Sequence, residues 1–172
     1  EHVALVLKDP TIDSAVLETS REGILRRGLG YDLADVGIVL NVFDDHVGSD
    51  DISRLDDLAY AKSVVAEQLY ADGHAVLNAD NDLVMEMRER VGGDLVLFSS
   101  SPKSARVRAH LQKGGTAVVL DGQYVTLVKE HERVEVLHLE DIPLAFGGRA
   151  RLNFDNILAA TAALLAYGLP LE

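Results

Sequence analysis

Apolar residues recur along this chain in short blocks, some spaced at the two-residue period of a strand and some at the three-to-four-residue period of a helix. The block 36–40, Val-Gly-Ile-Val-Leu, stops abruptly at Asn41, and the chain then passes Asp44, Asp45 and His46 before reaching Gly48. A buried strand that ends in a knot of polar groups is where open α/β sheets place their chemistry. Segment 36–48 therefore organises the reading of the rest.

Residues 3–7 are apolar and are stopped by Asp9-Pro10. Residues 14–17 form a short apolar block predicted as a strand, which puts Glu18 at its end. A helical piece over 24–27 is broken by Gly28-Leu29-Gly30 before the strand over 36–40. From 55 to 69 the spacing is helical, with Leu55, Leu58, Val65 and Leu69 on one stripe and Lys62 in the middle of it. Strands at 74–77 and 95–98 each lead through a polar turn into helices at 83–90 and 105–113. Strands alternating with helices at this spacing imply βαβ units and a mainly parallel sheet. The pattern then changes, because Asp121-Gly122 between two β-rich runs is a hairpin signal and 134–139 supplies a further antiparallel strand. An alanine-rich helix over 153–167 is ended by Gly168 and Pro170. The expected fold class is α/β, a mainly parallel sheet flanked by helices with a small antiparallel extension, in a single domain over 1–172.

Composition narrows the partners. The 172 residues carry 16 Lys and Arg against 28 Asp and Glu, a net charge of −12. That balance argues against a nucleic-acid or anionic-membrane surface, both of which rely on basic charge. With no cysteine there is no disulfide framework, thiolate metal site or cysteine nucleophile. No apolar run approaches the roughly 20 residues of a membrane span. The expected location is the cytoplasm. The sequence starts at Glu1, and the apolar run 3–7 follows at once. It reads as the tail of an element begun upstream, so the chain is expected to be a piece of a longer protein.

Several side chains are candidates for chemistry. A lysine on the core-facing stripe of a helix must find a counter-charge, carry its amine out to solvent or lose its proton. Lys62 has no Asp or Glu three or four residues away, so a solvated helix ion pair is unavailable; a snorkelled amine and a site role stand equal. Asp45 and His46 either satisfy loop backbone or, given their seat beyond a buried strand, serve a hard divalent ion or act as an acid/base pair. Glu18 is a second candidate ligand if its strand neighbours that of His46. Asn153 and Asp82, taken singly, read as helix caps. Asn156, a turn into the last helix, either bonds a base or bonds back to the helix start. Gly147-Gly148-Arg149-Ala150-Arg151 would suit an anion but has no phosphate-loop spacing, and a solvated turn is the simpler reading. Neither G-x-x-x-x-G-K-[ST] nor G-x-G-x-x-G occurs, so any standard phosphate loop would lie outside these residues.

Taken together, residues 15–19, 41–48, 61–65, 76–82 and 146–160 resemble, in order and spacing, the central P-loop-type ATPase domain of the Mur ligase superfamily. Asp9-Pro10-Thr11, residues 17–30 and residues 141–148 are most similar to the cyanophycin synthetase branch. The resemblance implies an ATP-dependent amide ligase, which phosphorylates a carboxylate and joins the acyl phosphate to an amine. In that branch, arginine is added to the side-chain carboxylates of an aspartate-backbone polymer. ATP and Mg are the implied cofactors, and a homo-oligomer is the implied assembly. By motif position Glu18 and His46 would be magnesium ligands, and Asn156, with Asn153, would contact the nucleotide. Lys62 matches a lysine that many Mur ligases carbamylate to bridge metal. Two positions depart: Glu22 stands where that branch tends to have glycine, and Leu152 where Mur ligases proper usually have histidine. The resemblance also implies an upstream P-loop and a following ligase domain, so the fragment alone is expected to be inactive. The other readings are a folylpolyglutamate synthase-like Mur-type ligase and a non-catalytic Mur-like binding domain.

Overall fold

The structure, a computed structural model, describes residues 2–43, 55–130 and 132–169. Two short helices come first, α1 (His2–Val6) and α2 (Arg21–Arg27). Strand β1 (Ala34–Val39) follows, then helix α3 (Leu55–Glu67), β2 (Leu69–Asn78), α4 (Asp82–Glu86), β3 (Asp94–Ser99), α5 (Ala105–Leu111) and β4 (Thr116–Asp121). Strands β5 (Tyr124–Lys129) and β6 (Glu132–His138) precede the last helix, α6 (Phe154–Ala166).

These strands form one sheet whose spatial order is the chain order, β1 to β6. The first four are parallel, and β5 and β6 add as an antiparallel meander. Crossovers at α3, α4 and α5 give parallel pairs, whereas the two-residue connection Gly122-Gln123 allows only an antiparallel one. Gly122 takes φ 63° at the first position of that turn, which glycine accepts without steric cost. The expected α/β class with an antiparallel extension is what the structure has.

Side chains alternate across each strand, so β1 to β5 feed two cores. Ala75, Leu77, Leu97, Ala117 and Val119 pack with Leu58, Ala66, Val84 and Val107 under α3, α4 and α5. Val76, Val96, Phe98, Val118 and Val125 pack with Ile157, Leu158, Ala159 and Ala162 of α6. The result is three layers, with α6 lying across β1 through β5.

One expectation fails. Residues 14–17 form no strand: Val16 is fully exposed, and β1 is an edge of the sheet among the described residues. A block of Ser-Ala-Val-Leu has strand-like composition, but a strand exists only through its partners, and none is alongside. Glu18 is therefore an exposed residue in irregular backbone, not the end of a buried strand.

The amino ends of β3 and β4 are closed by tight contact. A Cβ on Gly93, at the entry to β3, would lie 2.1 Å from the Gly73 carbonyl oxygen of β2. On Gly115, at the entry to β4, it would meet the His110 ring at 2.3 Å. That ring is held between strands, with Nε2 3.1 Å from the Leu95 carbonyl and 3.2 Å from that of Thr116.

Candidate functional site

At the carboxyl ends of the parallel strands the polar groups converge. Asn78 ends β2 two residues beyond Val76 and so lies on the α6 face; only 1% of it is exposed. Its Nδ2 donates to Asn41 Oδ1 at 2.9 Å and to Asp155 Oδ2 at 3.3 Å, and its Oδ1 accepts from the Asp80 amide at 2.9 Å. Both amide hydrogens and the oxygen are thereby used, which is what a buried amide requires. Three segments meet on this one side chain: the exit of β1, the exit of β2 and the first turn of α6.

Lys62 enters the same network from α3. Its Nζ donates to the Asn41 carbonyl at 2.8 Å, so the amine reaches the strand end. Partial burial holds the ammonium below the ordinary lysine range, and the nearby Arg21 charge adds to the effect. Asn41 is thus gripped twice, at its main chain by Lys62 and at its side chain by Asn78.

Asn81 ties the next turn down. Its Nδ2 donates to the Val42 carbonyl at 3.2 Å, while its Oδ1 accepts from the Val84 amide and caps α4. Asp82, expected to cap, instead pairs with Arg106 at 2.5 Å, because the helix begins one residue earlier than a cap at 82 would need and Asn81 occupies the capping position. Asp80 accepts from the Ser99 hydroxyl at 2.6 Å and from the Ser100 amide and hydroxyl at 2.7 and 3.0 Å, which joins the exits of β2 and β3.

Asn153 stands at the start of α6 but makes no cap. Its backbone is already helical, and its Nδ2 donates to the Leu144 carbonyl at 2.8 Å, fastening the helix start to the 3-10 turn Pro143–Ala145. Asn156 is exposed one turn in. Arg149 and Arg151 are exposed beside Gly147 and Gly148, both with positive φ, as a solvated turn would have them.

Lys62 thus joins Asn41, Asn78 and Asp155 in one network, which Asn153 and Asn156 only flank on either side of Asp155, and Glu18 is not part of it. His46 and Asp45 lie outside the described residues. Among the described residues no group of three His, Asp or Glu side chains stands close enough to hold a metal ion. As described, the donor set fits amide and backbone recognition of a polar ligand and does not by itself make a metal cage. Sequence reasoning gave Asn78 and Asp155 no role. The available signal was a polar residue on an inward-facing position of a buried parallel strand, where an unbroken apolar run is the rule.

An open α/β sheet with a polar cluster at its carboxyl edge defines a class of ligand-binding domains. The particular family follows from sequence: the Mur ligase middle domain matches residues 2–164, and the chain belongs to this family. It is similar to cyanophycin synthetase from Trichormus variabilis, 47% identical over 98% of this chain and 19% of that protein. The cyanophycin synthetase of Synechocystis is 41% identical over all of this chain and 20% of its own length. The chain thus spans about a fifth of these relatives. Among solved structures, MurF from Acinetobacter baumannii aligns with a TM-score of 0.51 at 21% identity, covering 80% of this chain and 26% of that one, and so shares the fold.

Proposed function

We propose that this chain is the nucleotide-handling part of a longer ATP-dependent amide ligase, of the kind that adds arginine to the side-chain carboxylates of an aspartate-backbone polymer. The observation that carries the reading is Lys62. Its amine sits at the carboxyl edge of the parallel sheet on the Asn41 carbonyl, inside a chain that matches the Mur ligase middle domain over residues 2–164. Similarity to cyanophycin synthetases over nearly the whole chain supports the substrate assignment.

In this reading the substrate carboxylate attacks the γ-phosphorus of ATP, ADP leaves, and an acyl phosphate forms. The amine then attacks the acyl carbon, loses a proton, and phosphate departs. Phosphoryl transfer depends on positioning and charge neutralisation more than on covalent help from the protein. Asn153 and Asn156 hold the nucleotide at the start of α6. Glu18 and His46 are the proposed magnesium ligands, and the ion would supply charge neutralisation at the phosphates. Lys62, with its proton affinity lowered by burial, either stays an amine directed at the strand end or is carbamylated to become an anionic ligand. The isolated chain is proposed to be inactive, because a phosphate loop and an amine-binding domain would come from other parts of the whole protein. A cytoplasmic location and a homo-oligomeric assembly belong to the same proposal; among the described residues no helix is long and apolar enough to cross a membrane.

The test is phosphate release by the full-length protein given ATP, magnesium, a β-aspartyl primer and arginine. Arginine-dependent release is expected. Release that depends on another amino acid would move the protein to a different Mur-type ligase, such as a folylpolyglutamate synthase-like one. No nucleotide turnover or binding would leave a non-catalytic binding domain.

A further inference from the structure

Resting on the ATP-dependent reading above, we infer that Asn78 is a positioning residue that locks the base-side helix of the nucleotide site to the phosphoryl side. The geometry is a relay. Lys62 Nζ holds the Asn41 carbonyl at 2.8 Å, Asn41 Oδ1 accepts from Asn78 at 2.9 Å, and Asn78 donates to Asp155 at 3.3 Å. Asp155 lies in the first turn of α6, between Asn153 and Asn156. The relay therefore runs from the Lys62 amine at the strand ends to the helix start that carries the two proposed nucleotide contacts, through a residue only 1% exposed.

Neither of the two replacements closest in shape satisfies the same partners. A leucine of similar shape leaves the Asp80 amide, the Asn41 oxygen and the Asp155 carboxylate each short of a partner, which costs more than the hydrogen bonds were worth. An aspartate presents anionic oxygen to Asp155, and two carboxylates at that distance repel. The second fault can be reversed. With amide and carboxylate exchanged between the two positions, the hydrogen bond runs the other way, the 78 side chain still accepts from the Asp80 amide, and Asn41 can turn its amide to donate.

The experiment measures kcat and KM for ATP on the full-length protein, with melting temperature read alongside. Asn78→Leu and Asn78→Asp are expected to raise the KM for ATP about tenfold or more with a smaller fall in kcat, as loss of one or two buried hydrogen bonds to a positioning group implies. The double variant Asn78→Asp with Asp155→Asn is expected to return KM to within about threefold of wild type. If the single variants do not fold, recovery of a cooperative melt by the double variant supports the relay. Single variants that fold with unchanged KM overturn it, and so does a double variant no better than Asn78→Asp. A wild-type protein that neither binds nor turns over ATP overturns the ligase reading itself and takes this role with it, so the two failures are told apart by the wild-type control.

Discussion

At the amino ends of β2, β3 and β4 tight contacts of backbone and the His110 ring close the sheet, whereas at the carboxyl ends of β1 and β2 a hydrogen-bond network does the closing. On the first edge Gly93 lies against the Gly73 carbonyl, and His110 fills the space over Gly115. On the second, Asn41, Asn78, Asp155 and Lys62 bond to one another across three segments. Contacts of the first kind admit no added atom. Contacts of the second kind consist of donors and acceptors that a ligand can share. The same sheet thus has one edge closed by packing and one by hydrogen bonds, and a change at either should register in a different measurement.

The largest expected effect is at the packed edge. Gly93→Ala forces a methyl group into the Gly73 carbonyl and should cost about 3 kcal/mol of stability in denaturant titration. The KM for ATP of the folded full-length protein should stay unchanged, and a shift in KM without loss of stability would break the division between the edges. At the other edge, Lys62→Ala should lower turnover about 100-fold, the scale for removing one preorganised charged group, with only a small change in melting temperature. A large destabilisation with normal turnover would make Lys62 a packing residue. The smallest effect sharpens the first edge.

Burial holds the His110 imidazolium below the ordinary histidine value of 6.5, against the two carbonyl contacts that favour it. The unfolded chain then binds the proton first, so stability falls as pH drops through the window just below 6.5. His110→Gln cannot titrate, and its melting temperature should fall less than that of wild type between pH 7 and pH 5. Equal acid sensitivity would remove His110 from the account.

What could be read in advance follows from how local each signal is. The alternation in β2 to β5, the stripe of α3 and the alanine-rich run of α6 are set by neighbours in sequence, and these elements formed near where the pattern placed them, except that α3 stops at Glu67 and Leu69, expected on its stripe, opens β2. Residues 14–17 were misread because strand pairing is a long-range fact that a short apolar block does not contain. Asn153 and Asp82 looked like caps for the same reason: what they bond is fixed by Leu144 and Arg106, and in the second case the partner is remote in the chain. The bonds of Asn78 to Asn41 and Asp155 span 37 and 77 positions, beyond any local period. Lys62 was legible as an anomaly on its stripe. Its acceptor, a main-chain carbonyl, carries no signature in sequence.

The placement of α6 has a consequence for biosynthesis. Because the strands pair in the order they are made, each can join the sheet soon after leaving the ribosome, yet the face carrying Val76, Val96, Phe98, Val118 and Val125 stays bare until the last helix arrives. For most of translation this chain is a sticky half-sandwich. Any stall or truncation before residue 154 would release a species primed to aggregate, and the helix that completes the polar network at the strand ends is the same one that renders the newborn chain safe.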